Sequence, residues 1–244
     1  MMNLRLIIRF FIVLFSSGFI MFAQPVFSAV DIPTSARATE AAKRISPSLQ
    51  QALKEKNFAL GAPVLIRIFK ESSELEVWLQ SGIEYRLFKT YKICYFSGNL
   101  GPKTKVGDRQ SPEGFYTISP KQLNPNSNYH LAFNLGYPNA YDRAYQRTGD
   151  ALMVHGNCVS IGCYAMTDQQ IEEIYTIAAA TLKSGQPSIQ VQAFPFRLND
   201  ANLAKHQNSE WLSFWQNLKQ GSDFFERTKT PPKVSIKNKQ YVFE

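Results

Sequence analysis

The sequence predicts a mainly β domain with flanking helices, an α+β arrangement, from three observations. Residues 35–57 repeat apolar side chains at helical spacing. From residue 61 to residue 197 the pattern shifts to short apolar runs separated by Gly, Pro and Ser turn chemistry, which is the signature of strands. Two more helical patterns, beginning near residues 168 and 209, interrupt and then follow those strands. With 244 residues and 44% hydrophobic content, the chain can fill one core with helical additions but hardly two large domains.

Residues 1–28 stand apart from the fold. Arg5 and Arg9 precede an apolar run from Phe10 to Phe22, and Ser28 and Ala29 supply small residues for cleavage. This is the layout of a secretory signal peptide. An uncleaved anchor is the rival reading, although Ser16, Ser17, Gly18 and Pro25 leave the apolar run short for a membrane span. The rest divides into a helical segment over 29–60, a β-rich domain over 61–197, and a helical extension and tail over 198–244.

In the first segment "SPS" is expected to interrupt the helix, with Ser46 as N-cap and Pro47 at the first helical position. Leu49, Ala52 and Leu53 then face the domain. "PVLIRIF", "LEVWLQ" and "EYRLFKTYKICYF" read as strands, "GNLGPKTKVGDRQSPEG" as a long loop, and "FYTIS" and "YHLAFNLG" as strands again. "YPNAYDRAYQRTGDA" is long for a connection in a compact domain, and such loops are usually functional or mobile. "ALMV" is a short strand that delivers His155. Thr167 and Gln170 form a capping box for a helix over 168–184, with Ile171, Ile174, Tyr175, Ala178 and Leu182 as its apolar face. "SIQVQAF" is a further strand. "SEWLSFWQNLKQG" is an amphipathic helix whose stripe of Trp211, Phe214, Trp215 and Leu218 reads as packing.

The formal charge of +8 becomes +6 once Arg5 and Arg9 leave with the leader. The basic residues are dispersed, with no recognition motif, so nucleic acid is not an expected partner. An exported basic protein more readily meets anionic envelope polymers. Three cysteines leave at least one thiol without an intramolecular partner.

Two of the cysteines lie in "VHGNCVSIGCYAM", residues 154–166. Cys163 follows Gly162 just ahead of a capped helix, and His155 ends an apolar strand. These are the residue types of a thiol nucleophile and its base. Backbone N–H groups around Gly162, Cys163 and Tyr164 are expected to hold an oxyanion. Cys158 and Cys163 could instead form a short disulfide. A zinc site on His155, Cys158 and Cys163 lacks the usual ligand spacing, so no metal is expected. Cys94, inside a β run, reads as a small buried residue. His130 lines a cleft or packs.

The segment "HGNCVSIGCYAM" resembles the active-site signature of the L,D-transpeptidase (YkuD-type) catalytic domain, in particular a YafK-like subgroup carrying G-C-Y-A-M. "FKTYKICYFSGNLGPK", "GDRQSPEGFY" and "NPNSNYHLAFNLGYPNAYDRA" resemble the same subgroup, and the likeness runs from about residue 35 to about residue 225. It implies a sandwich-like β catalytic domain that is periplasmic, acts on peptidoglycan stem peptides and needs no cofactor or metal. By that resemblance Cys163 is the nucleophile, His155 the catalytic histidine, Gly162 the preceding glycine and Ser160 the signature serine. Gly156, Cys158, Tyr129 and His130 are expected to line or support the cleft. Three departures stand out: Ile161 replaces a second histidine, Ala165 replaces an arginine, and only seven residues separate His155 from Cys163. The shortened loop and missing guanidinium put hydrolysis of a crosslink, or of a bond to a peptidoglycan-attached lipoprotein, beside transpeptidation. A non-catalytic peptidoglycan-binding protein with oxidised cysteines is a further alternative. Cys158 is expected either to support the site or to pair with Cys163.

Overall fold

The computed structural model describes residues 30–244, so the leader expected over 1–28 lies outside the described residues. Helix α1 runs over Ala36–Glu55 without a break, and Pro47 sits inside it. The interruption expected at "SPS" is thus absent. A proline in a helix interior costs about 3 kcal/mol. Here it is offset by one continuous buried stripe, Ala38, Ala41, Ile45, Leu49 and Leu53, that spans both sides of the proline.

The strands follow as β1 (Val64–Phe69), β2 (Glu74–Ser81), β3 (Glu84–Lys92), β4 (Tyr95–Phe96), β5 (Gly114–Ile118), β6 (Leu123–Asn124) and β7 (Ala132–Asn134). After helix α2 (Ala140–Ala144) come β8 (Met153–His155) and β9 (Tyr164–Ala165). Helix α3 (Asp168–Lys183) opens on the expected capping box of Thr167 and Gln170. Strand β10 (Ile189–Phe194), helices α4 (Asp200–Lys205) and α5 (Leu212–Thr228), and the hairpin β11 (Val234–Lys237) and β12 (Gln240–Phe243) complete the chain. No helix among the described residues is long and apolar enough to cross a membrane.

Two five-stranded sheets form, in the orders β3-β2-β1-β10-β5 and β4-β9-β8-β7-β6. Their facing sides share one core with α1 and α3: Val64, Ile66 and Ile68 from β1 meet Phe133, Val154 and Tyr164 from the second sheet. The other face of β1 is also buried. Leu65 packs against Phe225, and Phe69 joins a cluster with Phe194, Phe214 and Trp215. This is why "VLIRIF" reads as a continuous run and not as an alternation.

Helix α5 extends past Gly221, where the sequence reading ended it. There the helix passes so close to Phe243 and Phe115 that any side chain would collide with their rings. The segment read as a tail is a hairpin turned by Asn238 and Lys239, both left-handed, with Tyr241 buried beside Phe115. The run "EYRLFKTYKICYF" also divides: β3 belongs to the first sheet and β4 to the second. The long connection after residue 136 is fastened. Asp142 is fully buried in it and accepts from Arg147 at 2.8 Å and from the hydroxyl of Tyr116 at 3.2 Å.

Candidate active site

The parallel pairing of β8 with β9 builds the site. Val154 faces Tyr164 and His155 faces Ala165, so Met153 lies beside Cys163. Side chains alternate along a strand. Val154 and Tyr164 point into the core, which turns Met153, His155 and Cys163 to the opposite face. One face of two adjacent strands therefore carries both the thiol and the imidazole.

His155 is 2% exposed. Its Nδ1 lies 2.6 Å from the carbonyl of Gly156, and Tyr129 stacks on its ring with centroids 4.7 Å apart. A carbonyl only accepts, so Nδ1 carries the proton and Nε2 keeps its lone pair. Burial holds the imidazole below its ordinary pKa, with the Gly156 carbonyl pulling weakly the other way. Burial likewise pushes the Cys163 thiol up, opposed by the Met153 N–H and by the charge of Lys103. Both shifts favour the neutral form of each group. The sulfur accepts from Met153 N–H at 3.4 Å and its hydrogen is directed at the Ala151 carbonyl, 3.7 Å away.

The glycines of the motif have distinct jobs. At Gly156 a Cβ would come within 2.5 Å of Asp168 Oδ1, the same oxygen that accepts from Asn157 N–H at 2.8 Å. Only glycine lets the start of α3 press on the roof loop this closely. Gly162 has φ +154° and turns the chain into Cys163.

Ser160 is the hub of that turn. Its Oγ accepts from Cys163 N–H at 2.7 Å and Gly162 N–H at 3.1 Å, and donates to the Cys163 carbonyl at 2.8 Å. The expectation that Gly162 supplies an oxyanion donor therefore needs correction, because that N–H is spent on Ser160. Tyr164 is fully buried within the ladder between β4 and β8, so its N–H is no better placed.

The cysteine assignments also change. Cys94 bonds to Cys158, with Cα atoms 5.2 Å apart, and Cys163 is left as the free thiol. Cys94 is an exposed half-cystine and not a lone buried residue, and Cys158 neither pairs with Cys163 nor offers a thiol. The physical reason lies in β9. Cys94 N–H donates to Ala165 O at 2.9 Å and Cys158 N–H to Met166 O at 3.1 Å, so the two cysteines meet across the strand that follows Cys163. His130 turns away from the thiol. Its Nε2 lies 2.7 Å from Glu172 Oε1, and Arg44 bonds the same carboxylate. Tyr129 is the member of that pair that meets His155.

Lys103 escaped the sequence reading. It is nearly buried, with Nζ 2.5 Å from Asp108 and its stem against Gly149. Only its place in a Gly/Pro/Lys loop marked it in the sequence. Among the described residues, no three His, Cys, Asp or Glu side chains converge as a metal site.

Exposed apolar side chains flank Cys163 in its loop and across the ladder. Ile161 is 81% exposed, Tyr95 53% and Val159 51%. The disulfide joins Cys94 and Cys158, the residues that immediately precede Tyr95 and Val159.

Comparison with known proteins places this geometry among relatives. The family model described as "L,D-transpeptidase catalytic domain" (YkuD) matches residues 66–191. The Escherichia coli K12 protein named "Putative L,D-transpeptidase YafK" is 52% identical over 183 residues, covering 75% of this chain and 74% of that protein. Its counterpart in E. coli O157:H7 matches to the same extent. Among solved structures, the helical cell shape determining protein Pgp2 of Campylobacter jejuni aligns at TM-score 0.45 and 16% identity, covering 78% of this chain and 80% of that one. Bdellovibrio bacteriovorus Bd1075 aligns at TM-score 0.40 and 17% identity, covering 72% and 78%.

Proposed function

The chain belongs to the L,D-transpeptidase catalytic domain (YkuD) family, and from that premise we propose that it is an exported, periplasmic cysteine acyltransferase acting on peptidoglycan stem peptides through Cys163. The observation that carries the reading is the shared face of β8 and β9, where a free thiol and an imidazole of fixed tautomer stand on neighbouring strands.

The steps follow from that arrangement. Rotation about the Cα–Cβ bond of Cys163 brings its S–H from the Ala151 carbonyl toward Nε2 of His155. Nε2 takes the proton while the sulfur attacks an amide carbonyl of the stem peptide. Gly156 O and the Tyr129 ring hold the imidazolium that forms. Met153 N–H, already aimed at the sulfur, is assigned as the donor to the developing oxyanion. Lys103 adds positive charge that favours both thiolate and oxyanion. Collapse expels the amine, which takes the proton from Nε2, and leaves a thioester on Cys163. An acceptor amine or water then attacks the thioester, with His155 again receiving the proton.

A second reading shares the acyl-enzyme but ends in hydrolysis. Two observations favour it: Ala165 offers no guanidinium to clamp an acceptor carboxylate, and the rim of Ile161, Val159 and Tyr95 is apolar where muropeptides are polar. A donor flanked by polypeptide, such as a peptidoglycan-attached lipoprotein, suits that rim. A non-catalytic binding protein is the less favoured alternative, because the disulfide consumes Cys94 and Cys158 and leaves Cys163 reduced.

Incubation of the mature protein with purified sacculi, followed by mass spectrometry of the muropeptides, tests the proposal. New links or released stem peptides are expected, and intact-mass analysis should trap an acyl group on Cys163. Unchanged sacculi with unmodified Cys163 would refute it. Adding increasing D-amino acid separates the two readings: exchange product that displaces all free acid means transfer, and free acid that persists means hydrolysis.

A further inference from the structure

We infer that Ser111 is a positioning residue for Cys163, held in place by the buried carboxylate of Glu113. The inference rests on the acyl-transfer reading above and extends it to a second segment of the chain. The loop that carries Cys163 is not fixed by strand pairing. Between β8 and β9 it passes through left-handed Asn157 and Cys158 and turns at Gly162, so no strand ladder sets the orientation of Cys163 until β9 begins. Side-chain hydroxyls set it instead.

Ser160 is the first of these, and it lies in the same loop. Ser111 comes from the opposite wall. It is fully buried, donates its hydroxyl to the Cys163 carbonyl at 2.8 Å and accepts from Ser97 N–H at 3.0 Å. Ser111 N–H in turn donates to Ser97 O at 2.9 Å, and the Ser97 hydroxyl donates to Ser160 Oγ at 3.0 Å. Both groups of the Cys163 backbone are thereby tied, its N–H to Ser160 and its carbonyl to Ser160 and Ser111.

The next two residues continue the cradle. Pro112 O accepts from the Tyr164 hydroxyl at 2.6 Å, so consecutive residues 111 and 112 hold consecutive residues 163 and 164. Glu113 is then anchored on every side. Its Oε1 lies 3.0 Å from Lys70 Nζ and accepts from Gly101 N–H at 2.8 Å, and its Oε2 accepts from Trp215 Nε1 at 2.9 Å. Glu113 and Lys70 are both fully buried. Trp215 belongs to α5, beyond the stretch that matches the family model. A side chain outside that stretch thus supports the nucleophile through Glu113 and Ser111. Without the Ser111 hydroxyl, Cys163 is held by Ser160 alone, and its peptide can tilt about that single side chain. The sulfur then leaves the Met153 N–H that favours the thiolate.

The test compares wild type with Ser111→Ala and with Trp215→Phe, which keeps a ring in the aromatic cluster but removes the N–H to Glu113. Three quantities are read: kcat and KM on purified muropeptides, the pH midpoint of Cys163 alkylation by iodoacetamide, and Tm. For Ser111→Ala we expect kcat to fall by about tenfold or more, since small displacements of a reacting group are costly, with KM within about twofold of wild type. The alkylation midpoint should move up. Trp215→Phe should show the same signs with a kcat loss of about threefold. Folded Ser111→Ala with wild-type kcat and wild-type midpoint overturns the inference. If Ser111→Ala does not fold, Trp215→Phe decides, and a wild-type rate with an unmoved midpoint overturns it. The alkylation arm needs no substrate. If wild type turns over no muropeptide, the functional reading fails while the midpoint still judges the cradle.

Discussion

Removing the disulfide should cost more stability than its exposed position suggests. The perturbation is the pair of substitutions Cys94→Ser and Cys158→Ser, made in a Cys163→Ser background to prevent thiol exchange. The bond joins residues 64 apart in sequence. Closing a loop of that length in the unfolded chain is worth about 4 kcal/mol on the chain-entropy account. For a domain of this size each kcal/mol moves Tm by roughly 2–4 °C. A fall of about 8–16 °C is the upper expectation, and native-state relaxation will bring the measured value toward its lower end. Scanning calorimetry of the two proteins under identical buffer measures it. A matching assay counts thiols. Unreduced wild-type protein, denatured in the presence of a blocking reagent, should label at Cys163 alone. Equal Tm values, or three labelled thiols in protein taken from an oxidising compartment, would refute the reasoning. Activity should fall as well in the double variant with Cys163 restored, because the bridge spans the strand that follows the nucleophile.

The other expectations can be stated together. Cys163→Ser should abolish turnover and leave Tm close to wild type, since a hydroxyl of similar size replaces the thiol, and any residual turnover above background would move the nucleophile elsewhere. His155→Gln should slow acylation and lower the rate of thiol alkylation at neutral pH, and rates equal to wild type across the pH range would remove His155 from that role. Burial lowers the His155 pKa below 6.5, so the unfolded chain binds more protons than the folded one just below that pH. Stability should therefore fall as pH drops through this window, and His155→Gln should flatten that part of a pH series of urea midpoints. Lys70→Met should destabilise the fold by about 3–5 kcal/mol, because it strands a buried carboxylate at Glu113. A urea midpoint within experimental error of wild type would contradict this.

Much of the architecture was legible because local chemistry and tertiary packing agree. The capping box at Thr167 and Gln170, the buried face of α3 and the first two strands all carry their signals within a few residues. The site was legible to the extent that its groups share one short segment, 154–166. What stayed hidden depends on elements that meet late in the chain. Cys94 looked like a core residue because it sits in a β run, and only the placement of β4 and β8 on either side of β9 turns it toward Cys158. Pro47 looked like a helix start because its neighbours are good caps, yet the apolar stripe of α1 overrides that preference. Ser111 carries no signature of its own, since a serine before a proline in a loop has many uses. The oxyanion donors were misjudged for a related reason. Sequence shows which N–H groups lie near a nucleophile but not which have already been claimed by a hydroxyl.

The passage from β3 to β4 has a mechanical consequence. At that point two successive amides serve different sheets: Ile93 N–H donates to Ser73 O at 2.8 Å, and Cys94 N–H to Ala165 O at 2.9 Å. Two successive peptides thus rivet the two layers together, and the disulfide reinforces the rivet on the side of the second sheet. These bonds fix the relative placement of the two layers at the point where the chain crosses between them. The exposed apolar side chains that flank Cys163 in its loop and across the ladder are Ile161, Val159 and Tyr95. Attempts to retune selectivity are best directed at those three positions, where size and polarity can be exchanged without loosening the frame that keeps thiol and imidazole in step.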